Sequence, residues 1–351
     1  MNRVIIPFFI SHQGCPHACV FCDQRAISGS PGGLPDGDEI LAKVHAWHCS
    51  AGKRPLEVAF FGGTFSALAR QSQERLLAPL QPLLAAGTIA SVRVSTRPDS
   101  IDADTVAWLA RQGVGTIEIG VQSMDDDVLA ASGRGHDSAA SVAAIRCIKA
   151  HGLAAGAQLL PGLPGDTPAI ALRSLRHVIA AGADFVRLYP VVVLAGTELA
   201  RWFKAGDYRP LGIAEGVAIC KQLLHAAMKA GVEVVRVGLQ ADEGLNGDMV
   251  LAGCWHPAFG QLVRSELYFD LLRRLSQGEN AAPRAIRCHP ARISDCIGQG
   301  RANLRRLGTC WRTVKVLPES HHSVEEVSLD YFDHCLKGNV VTDLQYNIDE
   351  V

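Results

Sequence analysis

The alternation of short β-rich runs with longer amphipathic runs limits what this chain can fold into. Extended stretches are read at residues 4–10, 57–61, 91–96, 116–121, 155–160 and 184–191, and helical ones between them at about 38–51, 66–85, 103–112, 138–151 and 168–181. Gly113, Gly152 and Gly182 stand just past three of these helices, where a left-handed residue closes a helix. Strands and helices alternating at this spacing predict a parallel sheet with helical crossovers. A doubly wound sheet and a barrel share that pattern. Cys15, Gly62, Ser95, Gln122 and Gln158 all fall at or just after the carboxyl end of a strand. Five successive strands converging on one edge suit a barrel-like sheet whose site lies on its C-terminal face. After residue 200 the pattern changes. A helix at 213–229, a strand at 232–237, a Gly-rich stretch and a helix at 262–276 lead to Pro283. A small unit follows, with a strand at 284–288, a helix at 293–307 and a strand at 313–317. The expected organisation is a core barrel over 1–200, an extension covering it over 201–280, and a C-terminal α+β unit over 281–351.

The run Gly14-Cys-Pro-His-Ala-Cys-Val-Phe-Cys-Asp23 spaces Cys15, Cys19 and Cys22 as Cys-x3-Cys-x2-Cys. Three thiolates on one short loop can ligate three corners of a [4Fe–4S] cube. Such a cube normally takes four cysteines, so the fourth iron is left open. The amino and carboxylate groups of S-adenosylmethionine (SAM) can occupy an open iron, and one electron then releases a 5′-deoxyadenosyl radical, chemistry that a cofactor supplies. A structural zinc site would need a fourth ligand, for which His12 and His17 are candidates. Inert core cysteines are a further alternative, against which Pro16, His17 and the flanking glycines argue by making a loop.

Other strand ends carry matching features. Phe60-Phe-Gly-Gly-Thr64 exposes backbone to a ligand at close range through Gly62 and Gly63. In Ser95-Thr-Arg97-Pro-Asp99, the planar fork of Arg97 suits a carboxylate, or a salt bridge at the strand end. Glu118-Ile-Gly-Val-Gln-Ser123 puts Gln122 at the same edge, with Arg134 twelve residues on, and the fifth strand ends in Gln158-Leu-Leu-Pro-Gly-Leu-Pro164.

Together these residues resemble the radical SAM superfamily, in its Elongator-catalytic-subunit-like and oxygen-independent coproporphyrinogen-oxidase-like branches. The resemblance spans roughly residues 4–210 and implies a partial (β/α)6 TIM-like barrel with a [4Fe–4S] cluster and SAM. It implies that Phe21 lies against adenine, that Gly62, Gly63 and Thr64 meet the methionine end, and that Gln122 and Arg134 meet ribose and carboxylate. Gln158 stands where a ribose-binding Asp occurs, and Gly162-Leu163-Pro164 is similar to the segment that packs on adenine. A low-potential electron donor of flavodoxin or ferredoxin type is the implied partner. The stretch after residue 280 is too short for the acetyltransferase domain of the Elongator-like group, which leaves that specific activity in doubt.

Substrate determinants are expected beyond the core. Gly253-Cys-Trp-His-Pro-Ala-Phe-Gly260 groups Cys254, able to donate a hydrogen atom, with His256, able to act as acid or base. Cys254 or His256 is expected within one substrate's length of the cluster. Arg187 and Tyr189 end the sixth strand, where they can take an anionic group or pair structurally. Arg301, Arg305 and Arg306, with Arg292 before them, form a solvated basic face or a phosphate-binding one, the latter pointing to tRNA. Cys288, Cys296, Cys310 and Cys335 are too scattered to suggest a second cluster. A small molecule or tRNA is the expected substrate. A non-catalytic iron–sulfur or haem carrier and a zinc-binding RNA adaptor are the competing classes. A net charge of −1 over 351 residues announces no nucleic-acid partner, and 11 cysteines without a secretory signal read as reduced thiols in a cytoplasmic protein with no membrane span.

Overall fold

In the computed structural model, which describes residues 3–29, 32–239 and 248–346, the expected strands form one parallel sheet. They are β1 (Val4–Phe9), β2 (Leu56–Phe61), β3 (Ser91–Thr96), β4 (Val114–Gln122), β5 (Ala154–Leu159) and β6 (Phe185–Leu188). A short β7 (Val192–Leu194) follows, and β8 (Glu233–Val237) then pairs in parallel with β6. The order β1-β2-β3-β4-β5-β6-β8 gives a seven-stranded half-barrel with β1 and β8 at its free edges. The partial TIM-like form holds with one strand more than expected. The strand read as part of the extension beyond residue 200 completes the core sheet.

The pleat sends alternate side chains to opposite faces. One face is apolar throughout: Phe8 on β1, Phe60 on β2, Val94 on β3, Ile119 on β4, Ala157 on β5 and Val186 on β6 are all buried. Helices cover it, capped as their sequences dictate. Thr167 accepts from the Ile170 N–H to start Pro168–Ala181, and Gly182 ends it at φ 103°. The helix expected over 66–85 is instead Arg70–Leu77, a 3-10 turn Ala78–Leu80 and Gln81–Ala85. Pro79 and Pro82 have no N–H to return to the preceding turn.

The other face is polar and continuous. Glu57 on β2 accepts from Arg93 of β3 (3.0 and 2.7 Å), and Arg93 donates at 2.5 Å to Glu118 of β4. Glu118 also takes Arg187 of β6 at 2.7 and 2.9 Å and the Gln158 amide of β5 at 3.2 Å. Both carboxylates are fully buried. Burial pushes the Glu118 carboxyl up, but the guanidiniums of Arg187 and Arg93 outweigh it and hold the group below its ordinary range.

Beyond the barrel, β7 pairs antiparallel with β9 (Val250–Gly253), and helix Phe259–Leu275 leads to a four-stranded sheet. Its strands are β10 (Ala285–Cys288), β11 (Lys315–Pro318), β12 (Glu326–Asp330) and β13 (Cys335–Asn339), in the order β11-β10-β12-β13. The helix expected over 293–307 breaks into Ile293–Ile297 and Ala302–Leu307 across Gly298 and Gly300, both at positive φ. Strands β12 and β13 were not expected. Gly338 and Asn339 are poor strand formers, and the hairpin exists because Val327 and Leu329 bury against the core.

Replacing Glu118 by Ala strands the charge of Arg187 inside the half-barrel, while Arg93 keeps only Glu57. Urea unfolding of Glu118→Ala is expected to show a loss of about 3–5 kcal/mol, the scale of a broken buried ion pair. The contribution of this carboxylate is fully present above the ordinary carboxylate range and is lost as pH falls below it through the depressed folded pKa.

Candidate cluster and cofactor site

The three cysteines hang from a loop that the turn after β2 fixes in place. Leaving β1, the Ile10 N–H bonds to the Phe61 carbonyl (2.9 Å) and the Gln13 N–H to Ile10 (3.0 Å). His12 adopts φ 60° and Gly14 φ 73°. The Thr64 N–H then donates to the Gln13 carbonyl at 2.8 Å. The approach is so close that a Cβ on Gly14 would lie 2.4 Å from the Thr64 carbonyl oxygen, and one on Gly63 would lie 2.4 Å from that of Gln13 and 2.5 Å from that of Ile10. Only glycine fits at either position. Gln24, which the sequence did not single out, stitches the loops together. Its Oε1 accepts from the backbone N–H groups of both His12 and Gly63 at 2.6 Å, while its own N–H donates to His12 Nε2 at 2.9 Å.

That bond spends the Nε2 lone pair of His12 on backbone. His17 is exposed on the loop, with its ring against Gly135. Among the described residues no three His, Cys, Asp or Glu side chains converge on a single-ion position, as a structural zinc site would need. What remains is three thiols with no fourth protein ligand, a donor set that fits a [4Fe–4S] cluster with one iron left open.

The thiols have specific neighbours. Cys15 Sγ lies 3.3 Å from Thr64 Oγ1, and Arg134 Nη1 donates to Cys19 Sγ at 3.1 Å. Burial, followed by the charges of Cys19 and Cys15, pushes Cys22 up to about 12, with Arg134 pulling the other way. Bound iron would supply the positive charge that favours the thiolate form. The middle of the loop is held from both sides: the Val20 N–H donates to Ser132, and its carbonyl accepts from Leu199 at 2.8 Å.

Around this loop the strand ends present the groups expected from sequence. Gln122 is at φ 72° beside a register shift in β4, and its buried Oε1 has no partner. A strained backbone that aims an unsatisfied amide marks a ligand position. Arg134 is buried, gives Nη2 to the Gly120 carbonyl at 2.5 Å, and keeps Nε unpaired. Ser95 Oγ is likewise buried without a partner. Phe21 and Leu163 pack into one small apolar cluster with Val191 and Tyr208, whose hydroxyl donates to the Gly162 carbonyl at 2.5 Å.

Arg97 makes the strand-end salt bridge that its sequence also allowed: Asp99 pairs with its Nε and Nη2 at 2.9 and 2.8 Å, and Nη2 donates a further bond to the Arg134 carbonyl, so Arg97 braces the Arg134 loop. The Gln158 amide donates to Glu118 in the polar ladder.

Of the groups expected to act on a substrate, Tyr189 ends β6 with its hydroxyl accepting from Arg187 at 3.2 Å, and Arg187 is itself held by Glu118. Cys254 is tied to the same end of the barrel, its N–H bonding to the Val191 carbonyl at 3.1 Å. Its thiol, however, is buried toward the carbonyls of Leu211 and Gly212, and burial pushes it up to about 12. His256 Nδ1 accepts from the Ala258 N–H at 3.0 Å. Trp255 instead packs with Ile27, next to the cysteine loop. In the C-terminal unit Cys288 and Cys296 are buried neighbours, while Cys310 and Cys335 are exposed and form no cluster with them. The basic helix is largely self-satisfied: Arg306 is bidentate to Glu266 at 2.6 and 2.8 Å, and Arg301 donates to the carbonyls of Arg312 and Val314.

Residues 9–178 match the family model described as the radical SAM superfamily, and residues 183–268 match the radical SAM C-terminal domain. The chain belongs to the radical SAM superfamily. The cofactors of that class, a [4Fe–4S] cluster and SAM, are those the loop and strand ends fit. The chain is similar to a tRNA uridine(34) acetyltransferase of Methanocaldococcus infernus, 28% identical over 36% of this chain and 24% of that protein. It is also similar to a heme chaperone, HemW, of Haemophilus influenzae, 25% identical over 71% of this chain and 69% of that protein. Among solved structures, Elp3 of Methanocaldococcus infernus superposes with a TM-score of 0.60 at 20% identity, over 76% of this chain and 63% of that one. The chain thus spans only about a quarter of the acetyltransferase it matches. Among the described residues no helix is long and apolar enough to cross a membrane.

Substituting Ala for all three of Cys15, Cys19 and Cys22 is expected to abolish the brown charge-transfer absorbance of the anaerobically reconstituted protein. Gly63→Ala, which drives a Cβ into two carbonyl oxygens, is expected to lower cluster content with all three thiols present. Iron and sulfide analysis beside the visible spectrum checks both.

Proposed function

We propose that this protein is a radical SAM enzyme whose substrate lies over the polar concave face of the half-barrel. The observation that carries the reading is the three-thiol loop beside the unpartnered Gln122 Oε1 and Arg134 Nε at the strand ends. When bound, the cluster and SAM together supply a 5′-deoxyadenosyl radical able to abstract hydrogen from an unreactive carbon. The residues of the chain hold and orient. The turn through Gly62 and Gly63 sets Thr64 beside Cys15, where the methionine end would lie. The unpartnered Oε1 of Gln122 suits a ribose hydroxyl, the free Nε of Arg134 suits a carboxylate, and the Phe21 and Leu163 cluster gives adenine an apolar shelf. Ser95 Oγ is a further unspent group at the same edge.

Tyr189 is the substrate-facing group favoured here over Cys254 and His256. Its hydroxyl receives a bond from Arg187, which leaves its own proton to donate, whereas the Cys254 thiol is turned into the core. The electron would come from a low-potential donor of flavodoxin or ferredoxin type. A small-molecule substrate fits the self-paired Arg301 and Arg306 better than a tRNA does, although similarity to tRNA uridine(34) acetyltransferases keeps RNA as the substrate to test beside it. A second reading, a non-catalytic haem carrier, is favoured by the long alignment to a heme chaperone.

Anaerobic reconstitution followed by a dithionite-dependent assay for 5′-deoxyadenosine separates these readings. SAM cleavage supports the enzyme, while haem binding without cleavage supports the carrier. Gln122→Ala is expected to weaken SAM binding by about 1 kcal/mol and Arg134→Ala by about 1.5–3 kcal/mol, the scales of neutral and charge-assisted hydrogen bonds. Calorimetry on cluster-loaded protein checks both, and unchanged affinity in both variants removes the two residues from the site.

A further inference from the structure

Between helix Ile213–Lys229, helix Phe259–Leu275, the start of β8 and the C-terminal unit lies a cavity of about 290 Å³. Gly231 to Val234 line it at the amino end of β8, so it opens away from the edge that carries the cysteines. Leu224, Met228, Val232, Val234, Leu267 and Val340 supply the apolar half of its lining. Arg264 and Arg292 also line it. Arg292 has one carboxylate, Asp295, at 3.3 Å. Arg264 makes no hydrogen bond and no ion pair with any described residue. Burial, followed by the like charge of Arg292, holds its guanidinium below the ordinary pKa, with Asp295 acting in the opposite direction.

Of the two guanidiniums only Arg292 has a partner among the described residues, so the fork of Arg264 is left in a partly desolvated niche for a ligand to fill. A guanidinium fork matches a carboxylate, and the apolar part of the lining matches a short hydrocarbon chain. Glu233 and Glu325 line the same cavity and disfavour polyanions. The size lies at the lower end of the range for small-molecule sites, ~300–1,000 Å³. We propose that this cavity binds a small carboxylate carrying a short apolar tail, its head on Arg264 and Arg292 and its tail against Leu224, Leu267 and Val340. Such a ligand would join the barrel to the C-terminal unit at a point remote from the radical chemistry.

Calorimetry of the full-length, cluster-loaded protein with acetate, butyrate, hexanoate and inorganic phosphate tests this directly. Affinity is expected to rise about tenfold or more from acetate to hexanoate, because each methylene buried adds ~0.8 kcal/mol, and hexanoate should bind more tightly than phosphate. Arg264→Met should lose about tenfold or more of the hexanoate affinity, with unchanged visible and far-UV spectra showing that the fold survives, while Arg305→Met on the surface should lose none. Should Arg264→Met misfold, Arg264→Lys takes its place, with affinity expected to fall between those of wild type and acetate. Equal weak binding of all four anions, tighter binding of phosphate, or hexanoate binding unmoved at position 264 overturns the proposal. None of these readouts depends on SAM cleavage, so the proposal stands or falls apart from the enzyme assignment.

Discussion

Three thiols that repel one another once ionised must be held together before any metal arrives to compensate them. In this protein the hydrogen bonds of a single side-chain amide do much of that holding. Gln24 draws the N–H groups of His12 and Gly63 onto one oxygen, so the loop after β1 and the turn after β2 form one unit. The close approach excludes any Cβ at Gly14 and Gly63, and the geometry of Cys15 beside Thr64 follows from it. The bond from the Gln24 backbone to His12 Nε2 draws that imidazole into the same set of contacts.

The same economy governs the concave face. A parallel sheet covered by helices on one side could fill its other side with aliphatic layers, yet here Glu57, Arg93, Glu118 and Arg187 run across four strands as alternating charges. Each buried charge is satisfied by the next, which is the condition under which buried ions are tolerated. The ladder reaches Tyr189, whose phenol is braced by Arg187 just past the end of β6. The arrangement leaves a substrate polar contacts near the cluster edge and little freedom below.

The C-terminal unit is joined to the barrel by side chains that sequence spacing separates. Asn303 donates to Ser265 and to the carbonyls of Asp295 and Cys296, and the Tyr268 hydroxyl donates to Val324. These bonds fix helix Phe259–Leu275 against the small sheet and shape the cavity where Arg264 meets Arg292. The arginines that read from sequence as a phosphate-facing row divide in the fold. Arg306 closes on Glu266 and stacks over Phe269, Arg301 holds backbone, and Arg292 turns inward.

The alternation of strands and helices, the edge on which the site would lie and the three-cysteine loop were legible in the sequence, because each depends on local periodicity or on a spacing of a few residues. The glycines at 62, 63 and 182 were legible for the same reason, since a positive φ is a local demand. Whether a given polar residue was free to bind was not legible. Arg97 and Gln158 stand where a ligand contact was expected, but Asp99 and Glu118 had already taken their donors. Gln24 carried no sequence signal at all, and the Cys254 thiol faces the core although its loop reaches the right end of the barrel. The seventh strand and the hairpin of β12 and β13 likewise depended on partners distant in the chain. A hydrogen bond or an ion pair is made between groups that only the fold brings together. The sequence could therefore determine which chemistry was present, and the tertiary structure alone decided which of those groups remained unspent.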